Sequence, residues 1–465
     1  MSREELVAYL TVALTTAFLM FTAPTLMNWY DVHYFEQWFR AAAAHGILKV
    51  YSVCEKVHYP PLAVIYYVAV RDLVHVLRLD TDPWTFQFSM KVPLALCYLF
   101  TSLIIVWRFK WPVAQWGIVS IPMGLVIWGY QFDTIIAFLM ALSAVSVLES
   151  RPVAAGALLA LATSFKYVPA VMAVPMALVL RARGGSVQST RFLAAFAGLT
   201  AALWLPFFLE DPGAFWRQVF LFHMLRLPQD LTPFYLPLVL SRWHVHPWFF
   251  LLGKVSGAIM VAGFAVIAWW MWNRRDGVIK TLIDRVGPKF ALWGTCALLA
   301  AWFALTTKVG NPYYLAWVYL WVFPFAGWLI PAWRVGLMNS IPFLFTVNRL
   351  PAPVLNEKVF VVEDLRWYPA LSLLGFSSPH VLEKAHQLRK AAPKLMWVWY
   401  NHMHLTEAAL VACYTMVTAW NLIDILRWVR DPREPNERPD NRPIHPLLVA
   451  FTLPGFAFAL YLAWP

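Results

Sequence analysis

Side chains able to do chemistry crowd into one stretch near the amino terminus, NWYDVHYFEQWFRAAAAHGILKVYSVCEKVHYPPLAVIYY, residues 28–67. Asp31, His33 and Glu36 lie close together there, and carboxylate and imidazole groups can exchange protons or ligate a cation. On a helix, Trp38 falls near Tyr34 and Phe35 near Phe39 at i,i+4 spacing, while Asp31 and Glu36 take different faces. The stretch therefore reads as an interfacial helix through Ala44, broken at His45-Gly46 and re-entering an apolar run at Tyr59-Pro60-Pro61. The alternative is an aromatic belt with ordinary flanking charges.

The elements that must position this loop follow from composition. Of 465 residues, 60% are hydrophobic and 13% charged, about half the charge of a soluble chain, so a bilayer must supply the missing solvent. Disorder, a coiled coil and a disulfide scaffold are excluded by long apolar runs and four scattered cysteines. The excess of 37 Lys+Arg over 25 Asp+Glu falls largely in short loops beside apolar runs, where it sets topology and does not point to nucleic acid. Residues 6–27 read as a retained first helix, since the preceding MSREE is more acidic than basic and no A-x-A site follows. Further candidate spans are 61–77, 91–107, 112–130, 131–149, 152–165, 167–180, 192–209, 247–272, 290–306, 313–331, 335–350, 405–426 and 446–463. The expected fold is an all-α polytopic bundle of about 11 to 14 transmembrane helices, with interfacial helices in its outer loops. Residues 1–334 form the expected catalytic module, and 335–465 a carboxy-terminal region with a Pro- and charge-rich linker at 430–443.

Four basic segments should share the cytoplasmic side: Arg108 and Lys110; Arg181, Arg183 and Arg191; Arg274, Arg275, Lys280 and Arg285; and Arg427 to Arg442. Counting spans then puts Gln131, Lys166, the 210–246 loop and the Lys308–Tyr314 turn together on the opposite face. Two places resist the count. Residues 61–107 must cross an odd number of times yet hold two candidates, so either 61–77 is not a full span or a neighbour is re-entrant. In 351–404, Lys384, Arg389, Lys390 and Lys394 look cytoplasmic, whereas the count places them outside.

Motifs in the same order resemble the GT-C superfamily of polytopic glycosyltransferases. They are the acidic residue after the first helix with a Tyr-Pro-Pro-Leu re-entry; Trp128-Gly129-Tyr130-Gln131-Phe132-Asp133; Arg151-Pro152 to Gly156 followed by Ser164-Phe165-Lys166-Tyr167-Val168-Pro169; and Asn311-Pro312-Tyr313-Tyr314-Leu315. Together they cover roughly residues 1–330 and look like the mannosyl- and glucosyltransferase branches. The resemblance departs at Asp31-Val32-His33, where a paired-acid motif is usual, and at Asn311-Pro312, which replaces a charged pair.

The resemblance implies transfer of a hexose, mannose or glucose, from a polyprenyl-phosphate sugar to a lipid-linked or protein-linked acceptor with inversion. It makes Asp31 the general base, with Glu36 and His33 as alternatives or helpers. The implied substrate-binding residues are Tyr30, His58, Tyr59, Gln131, Asp133, Lys166, Arg226, Lys308, Tyr313 and Tyr314. Lys166, a cation among apolar residues, needs a partner such as a lipid phosphate, or else snorkels to the interface. Asp31 and His33 are too few ligands for a divalent site, so no cofactor is expected, with a metal left as the open alternative. The pair in Trp243-His244-Val245-His246 lacks a neighbouring carboxylate, and the 210–246 loop reads as a gate over the cavity. The expected partners are the donor lipid, the acceptor and the bilayer, with no nucleic acid. No ER-retention tetrapeptide ends the chain, so the expected location is a prokaryotic plasma membrane with the site on the non-cytoplasmic face. The competing function is a secondary transporter or flippase of a lipid-linked or small polar substrate. It would call for internal repeats and midplane ionisable residues, and the sequence shows neither.

Overall fold

The structure, a computed structural model, describes residues 3–23, 29–109, 126–273, 277–326, 328–348, 387 and 390–433. Most of the expected 112–130 span, residues 351–386 with Lys384, Arg389 of the basic stretch, the linker from 434 onward and the 446–463 span lie outside the described residues. The described chain is an all-α, multi-pass membrane protein.

Helix α1 (Arg3–Thr22) leads to α2 (Trp29–His45), which carries Asp31 in its first turn. Gly46, at φ 88, then reverses the chain, a conformation only glycine adopts without strain. Helix α3 (Pro61–Val76) starts with proline in its first turn, where no amide hydrogen is needed. It is followed by α4 (Pro83–Phe109), α5 (Asp133–Leu148) and α6 (Pro152–Phe165). The expected boundaries 152–165 are those observed, because Pro152 opens the helix and the chain turns extended at Lys166.

The expected spans 167–180 and 192–209 are the two arms of α7 (Ala173–Glu210), broken at Gly185 where φ is 76 and ψ −177. The first arm runs back along α5, with Ser143 Oγ bonded to Met176 Sδ and Arg183 reaching the Val147 and Leu148 carbonyls. The second returns along α6. A methyl group on Gly156 would lie 2.3 Å from the Phe192 carbonyl oxygen, and Trp204 Nε1 donates to Ser164 Oγ at 3.0 Å.

Helices α8 (Trp248–Asn273) and α9 (Val278–Thr306) follow, the latter kinked at Gly287. The short α10 (Leu315–Val322) is buried throughout, and α11 (Ala332–Asn348) and α12 (Pro393–Arg430) pack against each other. Helix α11 crosses the expected 334/335 division, and α12 packs on α9, so the carboxy-terminal helix is built into the same bundle.

The bundle has two chemically different ends. At one, Arg108 pairs with Glu149 at 3.0 Å, Lys289 reaches the Arg108 carbonyl, and Arg285 pairs with Asp431 at 3.3 Å. The basic segments expected on a common side therefore meet there. At the other end lie Asp31, Gln131, Lys166 and Lys308.

This arrangement settles the crossing problem in 61–107. Helix α3 begins beside Gln131, and its Arg71 bonds both Glu36 on α2 and Asp80 just before α4. It starts and finishes at the same end, and α4 alone carries the chain to Arg108. The expected span 61–77 is thus not a crossing. In 351–404, the start of α12 lies at the cavity end, where Trp399 bonds Asn348 and His404 meets Trp243. Position along the fold prevails over the basic charge of Lys390 and Lys394.

Candidate active site

Two loops roof a cavity at the end opposite the basic segments. Residues 46–60 are fixed by Trp38 Nε1 donating to the Lys56 carbonyl (2.8 Å) and by Tyr51 OH donating to the Tyr59 carbonyl (2.6 Å). The 210–246 loop opens with Asp211 capping Ala214, passes through a π-helical turn at Trp216–Leu221, and continues as a helical turn at Phe222–Leu225. Strand β1 (Gln229–Asp230) then pairs in parallel with β2 (Val309–Gly310), tying the loop to the turn after α9. Gln218 joins the two roof segments, accepting from Val57 N–H and donating to the Cys54 carbonyl. His223 Nε2 donates to the His58 carbonyl at 2.8 Å, and the His58 ring stacks on Phe222 at 3.3 Å. The two loops therefore cover one cavity.

That cavity encloses about 840 Å³ between atoms, part of it open to the outside. It is lined by Asp31, His58, Tyr59, Gln131, Lys166, Arg226, Tyr313 and Tyr314 among the residues singled out from sequence. Gln131 Nε2 donates to Asp31 Oδ2 at 2.6 Å, and Tyr59 OH donates to Gln131 Oε1 at 3.0 Å. Lys166 Nζ sits 2.6 Å from Asp133 Oδ2 and 4.7 Å from the centre of the Tyr314 ring. Asp133 is fully buried in the first turn of α5, where the helix amino terminus favours a negative charge. Lys308 Nζ donates to the Met224 carbonyl at 2.8 Å, beside Arg226.

Electrostatics divide these groups by task. Burial pushes the Asp31 carboxyl up to about 6, against the opposing pull of Arg226, Lys166 and the Gln131 hydrogen bond. Burial, helped by Arg226, brings Lys308 down to about 8. Burial brings His223 down to about 4 in spite of its bond to the His58 carbonyl, and holds His58 well below the usual imidazole range, so both rings are neutral at pH 7.

Glu36 and His33 lie away from the cavity. Glu36 accepts from Tyr67 OH (2.5 Å) and Arg71 Nε (3.2 Å), pinning α2 to α3, and Arg71 is itself flanked by Phe39 and Phe86. His33 is exposed and contacts Gln37. The helical spacing that separates Asp31 from Glu36 accounts for this, so neither residue is placed to share the role expected of Asp31. Tyr30 lies in the first turn of α2, and its side chain is outside the described residues. Among the described residues, no group of three or more His, Cys, Asp or Glu side chains comes together as a metal-ligand set. In the cavity Asp31 bonds Gln131 and Asp133 bonds Lys166, which does not fit a divalent site, and no step is assigned to a metal.

Comparison with known proteins bears on what this cavity does. Residues 57–287, just under half of the chain, match the family model described as Glycosyltransferase family 87, a GT-C-type family. That match accords with the GT-C resemblance read from the sequence. Among solved structures, ArnT from Cupriavidus metallidurans bound to undecaprenyl phosphate is similar at 14% identity, with a TM-score of 0.43 over 90% of this chain and 76% of that one. No curated protein matches.

Tyr167, His223, Asn311 and Trp317 also line the cavity. Asn311 stands where the resemblance leads one to look for charge, and its Oδ1 caps Tyr313 N–H at 3.0 Å. A backbone cap is a local signal that Asn-Pro carries in sequence. His223 gave no such signal, because its partner is a backbone carbonyl 165 residues away.

Proposed function

We propose that this protein is a GT-C glycosyltransferase that moves a hexose, mannose or glucose, from polyprenyl phosphate to a lipid-linked or protein-linked acceptor. What carries the reading is one cavity holding a carboxylate poised near neutral pH together with the cations Lys166 and Arg226, with Lys308 in the roof beside Arg226. Beside Arg226, the roof presents Trp216, Met224 and Leu225 outward, more than half exposed, a surface suited to a prenyl chain lying in the bilayer.

Asp31 takes the proton of the acceptor hydroxyl as its oxygen bonds the anomeric carbon. The bond from that carbon to the phosphate oxygen breaks, and polyprenyl phosphate leaves with the electron pair. A single displacement inverts the centre. Because the leaving group is already a phosphate, the cations suffice to stabilise the charge that grows on it. Lys166, Arg226 and Lys308 hold the phosphate, while His58, Tyr59, Gln131, Tyr313 and Tyr314 border the sugar and acceptor. Asp133 acts by holding Lys166. Residues 335–465 supply scaffold or acceptor specificity, not the base. By the positive-inside rule the basic end faces the cytoplasm and the cavity the opposite side, and the membrane proposed is a prokaryotic plasma membrane.

The test uses purified protein in nanodiscs with undecaprenyl or dolichyl phosphate carrying mannose or glucose, a membrane extract as acceptor source, and mass spectrometry of both lipids and proteins. Consumption of one donor with appearance of a hexosylated acceptor, abolished by Asp31→Asn, is the expected result. Intact donors with every extract would overturn the reading.

A further inference from the structure

We infer that Gln131, locked in one orientation by Tyr59, is the positioning residue that sets the Asp31 carboxylate. The inference rests on the assignment of Asp31 as the base and gives two residues expected to touch substrate a different task.

The geometry fixes the direction of every donor. Tyr59 is the last residue before the Pro60-Pro61 re-entry, and its ring is confined edge-on by Trp38 (5.7 Å), Phe35 (5.9 Å) and Phe132 (5.4 Å). Its hydroxyl therefore has one place to point. Burial, reinforced by the negative charges of Asp31 and Asp133, keeps that phenol protonated, so it is a lasting donor toward Gln131 Oε1. With Oε1 engaged, the amide must present Nε2 to Asp31 Oδ2, which it does at 2.6 Å. A flipped amide would set its carbonyl oxygen against an ionised carboxylate.

The backbone aims the amide as well. Gln131 is 2% exposed and follows Tyr130, which sits at φ 54, a left-handed conformation that is strained for a non-glycine residue. The Tyr130 ring is buried against Phe35 and Tyr67, and Gln131 N–H bonds the Val126 carbonyl at 2.9 Å. A strained turn held by packing on both sides leaves the amide little room to turn elsewhere. The relay from Tyr59 hydroxyl through the Gln131 amide to the carboxylate runs in one sense and favours the ionised base. Lys166 and Arg226 also face Asp31 and favour the same form by charge, so the amide contributes the directed part.

The experiment reads the Asp31 carboxyl itself. Its protonation is titrated by infrared difference spectroscopy of full-length protein in detergent, taking each protein minus its own Asp31→Asn counterpart. The wild-type midpoint is expected near 6. Gln131→Met, of similar shape but without the donor, is expected to raise it by about one pH unit or more, as befits a hydrogen bond to a charged group. Tyr59→Phe should raise it by a smaller step. Gln131→Glu, which puts a second carboxylate within hydrogen-bond distance, should raise it furthest. In transfer assays the acid limb should move in the same order, with kcat falling and donor KM unchanged.

An unmoved midpoint in Gln131→Met would overturn the inference, as would a rise in donor KM without a shift, which would make the amide a sugar ligand. If Gln131→Met fails to fold, Tyr59→Phe and Gln131→Glu decide by the same criterion. Continued transfer by Asp31→Asn would remove the base assignment alone, because the infrared midpoints do not depend on turnover.

Discussion

Replacing Asp31 by asparagine should cripple the enzyme and stabilise the fold at once. An amide of the same size still accepts from Gln131 but takes no proton, so transfer should fall by roughly 10²–10⁴-fold. Stability moves the other way. A carboxyl whose folded value is raised from 3.8 to about 6 penalises the native state once it ionises; the penalty is absent below about pH 4, grows through the interval and is complete above about pH 6. At pH 7 it amounts to at most about 3 kcal/mol, and after the cost of burying the amide about 1–2 kcal/mol should remain as a net gain. For a chain of this length that is a rise of roughly 1–4 °C in apparent Tm. Tryptophan fluorescence during heating in one detergent and at one scan rate measures it, at pH 4, 5, 6 and 7. The gap between variant and wild type should open with rising pH. A variant that is inactive and less stable at every pH would show that Asp31 holds the fold together, and the general-base argument would fall with it.

Three further outcomes follow from the same geometry. Lys166→Met should strongly destabilise the protein by leaving Asp133 buried without its partner, about 3–5 kcal/mol, whereas Asp133→Asn combined with Lys166→Met should recover most of the stability but not the affinity for polyprenyl phosphate, measured by lipid co-purification and mass spectrometry. Affinity for a phosphodiester donor should fall as pH rises through about 8, where Lys308 loses its charge, and Lys308→Arg should flatten that dependence in a binding titration. Gly310→Ala should loosen the roof, since a methyl group there would lie 2.2 Å from the Leu231 backbone; faster proteolysis within 210–246 and weaker donor binding are the readouts.

Much of the site was legible because its residues carry their own reasons. An acid directly after an apolar helix, a glutamine opening the 131–149 run and a lysine ending the Pro152–Phe165 helix are anomalies in a membrane sequence, and span counting put them on one side. What stayed hidden depended on contacts with no local trace. Within PLAVIYYVAVRDLVHV the Arg71-Asp72 interruption left open whether the helix crosses; Arg71 decides it by meeting Glu36 and Asp80. Likewise the 167–180 and 192–209 runs gave no hint that Gly185 alone turns one into the other, or that His223 would cap a carbonyl in the first loop.

The buried contact between Lys166 and Asp133 bears on how the catalytic cycle ends. A phosphodiester donor carries one negative charge, but the monoester left after transfer carries up to two near neutral pH. A pocket of uncompensated cations would hold its spent carrier more tightly than its substrate and stall. On the proposed function, a carboxylate held 2.6 Å from Lys166 costs some donor affinity, and in exchange the discharged lipid can leave and the next donor can enter.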